Sequence, residues 1–256
     1  MLDFAIQTAR DAGRILAERF GRASLRVQHK GDINLVTEAD LAAERLIVER
    51  IRSYYPRHAI LAEEAGDVAR EGPASDYKWV VDPLDGTTNY AHGYPCFCVS
   101  IGLEHKGELV VGVVYDPILD EMFAAERGGG ATLNGRRIHV SEVEDLNRAL
   151  LCTGFPYDVR ERNDFARHFV NFIMHAQGVR RDGAAALDMA YVACGRFEGF
   201  YEEGLQPWDV AAAIVIIEEA GGRVSRYDGS QASIYAPPIM ASNGLVHEQM
   251  MRVLAL

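Results

Sequence analysis

The residues with the most chemistry in them lie together at Asp82-Pro83-Leu84-Asp85-Gly86-Thr87-Thr88-Asn89, directly after the apolar run Trp79-Val80-Val81. The pattern predicts a strand that delivers Asp82 at its end, because Pro83 lacks an N–H and cannot continue a central ladder. Two carboxylates on such a bend are close enough to share hard cations. Gly86 allows a tight backbone turn. Thr87-Thr88 add amide N–H groups and a hydroxyl, and amides at a helix start or nest bind phosphate without any side-chain charge. A bare D-x-x-D-G also serves simply as a turn; the strand before it and the threonines after it make this string more specific.

Three further carboxylates have spacings that could bring them to the same place. Glu63, of the pair Glu63-Glu64, follows the apolar Ala59-Ile60-Leu61-Ala62, so it stands at a strand end, although an acidic pair before Ala65-Gly66 also suits a solvated loop. Asp209, in Pro207-Trp208-Asp209-Val210, falls in the first turn of a nearly all-apolar helix. Capping and the helix dipole explain an aspartate there; so does a metal, because a helix apolar all round is buried and an uncompensated carboxylate inside is costly. Asp40 closes the segment Lys30-Gly31-Asp32-Ile33-Asn34-Leu35-Val36-Thr37-Glu38-Ala39-Asp40, where a helix begins. It reads as a cap, or as a group facing the cation site and polarising a hydroxyl or a water.

The elements that must position these groups are legible in outline. Apolar positions near helical spacing predict a helix over 2–20 stopping at Gly21, and a second over 40–54 with Pro56 just beyond. The period then changes, with strands expected at 78–81, 98–103, 108–115 and 122–125, and Asn134-Gly135 as a hairpin turn between 132–133 and 138–140. Helices are expected over 165–176 and 184–194, a strand over 197–201, a helix from Pro207 to Gly221-Gly222, and a closing helix over 244–255. Helices, hairpin-connected strands, then alternating helices and strands suggest an α+β fold, a layered α-β-α-β-α sandwich. One domain over residues 1–256 is the simplest account, with room for two lobes of about 1–145 and 146–256.

Composition narrows the function. Of 256 residues 48% are hydrophobic and 25% charged, which gives an ordinary globular core, and the net charge of −11 argues against a nucleic-acid footprint. Cys96, Cys98, Cys152 and Cys194 include one C-x-C and no matching pair, so a cysteine-rich zinc cluster is not expected and the thiols read as small buried hydrophobes in a reducing compartment. Met1-Leu2-Asp3-Phe4 runs straight into a helical pattern without a signal peptide, and the apolar run 211–217 is too short to span a bilayer, so a cytoplasmic location and no membrane partner are expected.

Five stretches in order, namely Lys30 to Asp40, Glu63-Glu64, Asp82 to Asn89, Gly183-Ala184-Ala185 and Glu202 to Asp209, resemble the inositol monophosphatase family of lithium-sensitive, magnesium-dependent phosphatases. Arg180-Arg181-Asp182-Gly183 and Gly204 to Asp209 are similar to its bacterial-type members, and the fold implied is the sugar-phosphatase-like sandwich. The resemblance implies that Glu63, Asp82, the Leu84 carbonyl, Asp85 and Asp209 bind two or three Mg²⁺. It also implies that the amides of Gly86 and Thr87, next to Asp85, hold the phosphate, and that Asp40 and the Thr87 hydroxyl orient the attacking water. Gly183, Ala184, Ala185 and Glu202 would line the pocket for the alcohol. The family usually has a hydroxyl residue where this chain has Ala184, which bears on inositol specificity and leaves the metal site untouched.

The activity so implied is hydrolysis of small phosphate monoesters, inositol monophosphate first, by a homodimer. Mg²⁺ prefers oxygen ligands, and two such ions ~3.5–4 Å apart can stabilise the attacking and leaving oxygens of an in-line displacement. Related chemistry on fructose 1,6-bisphosphate, histidinol phosphate or a phosphoadenosine nucleotide is the neighbouring reading; Thr88-Asn89 favours the inositol type. A different reading, also from the resemblance, is a partner of the transcription machinery with secondary phosphatase activity.

Overall fold

The structure is a computed structural model and describes residues 1–21, 27–29, 35–68, 75–156 and 164–256. A two-stranded ribbon pairs β1 (Val27–His29) with β2 (Leu35–Thr37). The first large sheet contains β3 (Ala59–Ala62), β4 (Gly66–Val68), β5 (Tyr77–Asp85), β6 (Cys98–His105), β7 (Glu108–Asp116), β8 (Glu121–Glu126), β9 (Gly130–Leu133) and β10 (Arg136–Arg137), in the order β10-β9-β8-β7-β6-β5-β3-β4. The second contains β11 (Leu150–Thr153), β12 (Gly178–Arg180), β13 (Gly199–Glu202), β14 (Arg223–Ser225) and β15 (Ile239–Ser242), in the order β12-β11-β13-β15-β14. The helices are α1 (Leu2–Arg19), α2 (Glu38–Tyr54), α3 (Thr87–Ala91), α4 (Asp164–Ile173), α5 (Ala185–Ala193), α6 (Pro207–Glu219) and α7 (His247–Leu254).

The period-2 alternation of strand side chains sorts these elements into layers. Along β5, Trp79 and Val81 join Leu16 of α1 and Ile47 of α2 in one apolar cluster, while Val80 faces the cluster of α5 and α6. In the second sheet Cys152, Phe200 and Ala241 face that same α5–α6 layer, whereas Leu151, Tyr201 and Met240 pack with Phe172 of α4 and Met250 of α7. The result is helices, sheet, helices, sheet, helices, as expected for the layered sandwich. Every residue of α6 from Val210 to Ile217 is buried, which is why that helix is apolar all round. It lies so close to the first sheet that a Cβ on Gly112 would stand 2.0 Å from the Ala212 carbonyl oxygen.

Some expected boundaries differ. Strand β5 does not stop at Asp82 but continues to Asp85; Asp82 faces Ser100 and Asp85 faces Cys98, so three steps on β5 match two on β6. Pro83 sits within that bulge, where its missing N–H costs no ladder bond. Helix α2 starts at Glu38 because Thr37 caps it, its hydroxyl accepting from Ala39 N–H at 3.1 Å. Helix α4 ends at Ile173 rather than 176, and the hairpin partner of β9 is Arg136–Arg137 rather than 138–140. The short strands β11, β12, β14 and β15 have no clear pattern of their own. Residues 30–34 of the Lys30 to Asp40 segment lie outside the described residues.

Candidate active site

Parallel pairing of β3 with β5 places Glu63 beside Asp82. Ala62 stands opposite Val81, and the Glu63 N–H donates to the Val81 carbonyl at 3.1 Å, so both strands release a carboxylate at the same edge. The bulge then presents Leu84 and Asp85. Helix α6 brings Asp209 from the opposite side; its start is tied to the sheet by Ser100 Oγ, which donates to the Trp208 carbonyl at 3.1 Å. Asp209 also accepts from the Gln206 N–H at 2.7 Å, so it is a cap and a cavity carboxylate at once. Glu63, Asp82, Leu84, Asp85, Gly86, Thr87 and Asp209 line one cavity of about 650 Å³, with Gly183, Ala185 and Glu202 on its wall.

The turn after Asp85 needs its glycine. Gly86 has φ of 94°, and a Cβ there would lie 2.9 Å from the Cys96 carbonyl oxygen. From it α3 starts, with Thr87 first. The Thr87 hydroxyl lies 3.1 Å from Asp40 Oδ1 and 3.0 Å from the Leu84 carbonyl oxygen. Asp40 itself is fully buried beneath Thr87 and does not line the cavity. Its Oδ2 is occupied as a cap, accepting the Thr37 N–H at 3.0 Å and the Thr37 hydroxyl, which leaves Oδ1 for Thr87.

Burial dominates the electrostatics, and neighbouring carboxylates add to it at Asp82 and Asp209. Burial pushes Asp82 well above the carboxylate range, and Glu63, Asp85 and Asp209 push it further. Burial raises Asp209 to about 7, with Asp85 adding to it and the Gln206 amide opposing. Asp85 reaches only about 6, because its Oδ2 accepts the Ala186 N–H at 2.7 Å and the amides of Ala185 and Leu187 also favour its charge. Asp40 is raised to about 6 by burial, against the Thr37 hydrogen bonds. Four carboxylates and a carbonyl lining one cavity, offering oxygen donors alone, suit a hard divalent cation: the ion would offset the burial and the repulsion that raise Asp82.

The family profile described as "Inositol monophosphatase family" matches residues 1–255. The chain belongs to the inositol monophosphatase family. It is 45% identical to the inositol-1-monophosphatase of Synechocystis sp., over 99% of this chain and 88% of that protein, and 45% identical to the Nus factor SuhB of Pseudomonas aeruginosa, over 95% and 91%. The solved inositol monophosphatase of Anabaena (Nostoc) sp. superposes with a TM-score of 0.90 at 46% identity, covering 99% of this chain and 94% of its own. It is accordingly a phosphoric monoester hydrolase of the inositol-1-monophosphatase type, acting on a small phosphorylated substrate.

Within that family frame one expectation is revised. Ala184 is fully buried as the residue before α5 and packs in the core, so it is not part of the wall that Gly183 and Ala185 form. The following amides bind Asp85, a role that the Gly183-Ala184-Ala185 string did not announce. Sequence reasoning also missed Gly154, Phe155 and Pro156, as well as Arg181, whose guanidinium lies 5.5 Å from the Phe155 ring centroid. The signal appears only with the pairing: β11 and β13 are parallel, and ligands gather outside the carboxyl ends of parallel strands. An apolar Leu150-Leu151-Cys152-Thr153 stopped by Gly154-Phe155-Pro156 marks such an end.

Proposed function

We propose that the protein hydrolyses small phosphate monoesters, inositol monophosphate foremost, in a magnesium-dependent reaction. One observation carries the reading: Glu63 after β3, Asp82 and Asp85 on β5, and Asp209 on α6 converge on one cavity, beside the Gly86–Thr87 turn. Those carboxylates, with the Leu84 carbonyl, would hold the magnesium. When bound, it supplies positive charge that offsets the buried carboxylates and the charge developing on the oxygens of the phosphate group.

The chain's own groups do the rest. Backbone N–H groups of Gly86 and Thr87, at the start of α3, bind the phosphate oxygens. Thr87 and Asp40 orient water: with the Thr87 proton directed to Asp40 Oδ1, the lone pairs of its oxygen accept an O–H of the attacking water. Asp40, its Oδ2 fixed by Thr37, takes up the proton through that hydroxyl. Glu202, with Gly183 and Ala185, forms the side of the cavity that receives the alcohol. The protein forms no covalent bond to phosphate in this scheme.

Asp85→Asn tests it. The variant keeps an acceptor for the Ala186 N–H, so it stays folded by circular dichroism and loses nearly all Mg²⁺-dependent phosphate release. Wild-type turnover in that variant refutes the site. A panel of inositol, sugar and nucleotide monoesters, with and without Mg²⁺, identifies the substrate. A second reading, favoured by relatives named Nus factor SuhB in Pseudomonas aeruginosa and Escherichia coli, is association with the transcription machinery; pull-down with the Asp85→Asn variant separates binding from chemistry.

A further inference from the structure

Cysteine spacing alone speaks against a zinc cluster, yet the fold gives Cys152 two partners that spacing does not reveal. Cys152 is buried on β11, Asp188 is buried on α5, and Asp182 is half-buried in the segment joining β12 to α5. One ligand atom from each lies within 4.8 Å of the other two. Asp188 is 1% exposed and its Oδ1 has no hydrogen-bond partner. Buried carboxylate oxygens are almost always paired, so this one marks a place where a positive group belongs.

We propose that Cys152, Asp182 and Asp188 form a second metal site, for a borderline transition ion such as Zn²⁺ or Co²⁺, separate from the hard-cation site of the main cavity. The donor set decides the ion: a thiolate with two carboxylates suits zinc and cobalt, whereas Mg²⁺ avoids sulfur. Tetrahedral zinc holds such donors roughly 3.5 Å apart, which side-chain rotation reaches from the observed separations. Three protein ligands leave the fourth position to water, admitted from the Asp182 side. Binding forms a sulfur–metal bond and releases to solvent the thiol proton and the proton that burial keeps on Asp188. Burial first, then Asp188, which also hydrogen-bonds it, keeps the Cys152 thiol protonated until a metal arrives.

Such an ion would brace the pocket. The Asp182 carbonyl accepts from Asn89 Nδ2 at 2.7 Å, and the same Nδ2 also donates to the Cys96 carbonyl at 2.8 Å. Asp182 precedes Gly183 on the cavity wall, so the ion would pin that segment to β11 and α5.

Co²⁺ titration of the whole protein in saturating Mg²⁺ tests the site through near-ultraviolet absorption. The expected result is a thiolate-to-cobalt charge-transfer band saturating at one ion per chain. Cys152→Ser abolishes the band while the protein stays folded by circular dichroism and keeps Mg²⁺-dependent phosphate release, Asp188→Asn weakens Co²⁺ binding at least tenfold, and Cys98→Ser retains the band. A wild-type protein without the band, or a band that survives Cys152→Ser, overturns the proposal. So does a band lost in Cys98→Ser, since that assigns the sulfur ligand to the main cavity.

Discussion

Asp209→Asn should make the metal-free protein more stable and the magnesium-loaded protein comparatively less so. The carboxyl is raised from an ordinary 3.8 to about 7 in the fold, by burial first and by Asp85 next. A folded pKa above the unfolded one means that the native state loses stability as pH rises from 3.8 through about 7, and the full cost stands at pH 8. At ~1.4 kcal/mol per pH unit the upper figure is ~4 kcal/mol, and water at the cavity wall reduces it to ~2–4 kcal/mol. Asparagine carries no charge and keeps an oxygen for the Gln206 N–H, so the cap survives. For a chain of this length that is roughly 5–10 °C in melting temperature. The assay is thermal unfolding at pH 8 in chelator, then across a Mg²⁺ titration. Magnesium at a hundredfold over its Kd adds ~2.7 kcal/mol to wild type; the variant, short of one ligand, gains less. The difference in chelator should also shrink as pH falls below 7, where wild type takes up the proton. A variant that melts at or below the wild-type temperature in chelator, with the same magnesium response, refutes the charge crowding from which the cation site is inferred.

Three other outcomes follow from particular contacts. Thr87→Val should lower kcat by ~10²-fold or more with Mg²⁺ affinity unchanged, while Thr87→Ser retains most activity; equal turnover in Val and wild type would remove Thr87 from the proton path. Gly86→Ala forces a side chain into a positive φ against the Cys96 carbonyl, so denaturant unfolding should show a loss of roughly 1–3 kcal/mol together with weaker phosphate binding. His247 is fully buried, with Nδ1 2.8 Å from Ser242 Oγ and Nε2 2.8 Å from Ser225 Oγ, and burial lowers it from 6.5 to about 4. Its stabilising effect is complete above pH 6.5 and is lost as pH falls toward 4, by up to ~3 kcal/mol; subtracting the pH profile of His247→Gln from that of wild type should isolate this slope.

What the sequence reveals of the site depends on how far apart the interacting pieces are. Asp82 to Thr87 is legible because one strand end, one bulge and one glycine turn build it locally. Glu63 is harder, since only the parallel pairing of β3 with β5 turns two distant strand ends into neighbours. Asp209 is ambiguous in the sequence for a physical reason: capping and facing the cavity demand the same first-turn aspartate, and it does both. Ala184 misleads because a position next to a wall residue need not point the same way; its side chain turns into the core at the start of α5. Gly154 to Pro156 are silent until the three-to-four-residue strands of the second sheet are paired.

The two sheets also explain why so much negative charge is tolerated between them. Helices α5 and α6 form the shared middle layer, and their first residues, Ala185 and Trp208-Asp209, both reach the cavity. Their amino ends point partial positive charge at the carboxylates, and the amides of α5 hold Asp85 at about 6. Asp82, which accepts the Leu84 N–H at 2.9 Å, is raised further than Asp85. The backbone thus offsets part of the charge in advance, and the unmet remainder at Asp82 is where the proposed cation would contribute most to stability.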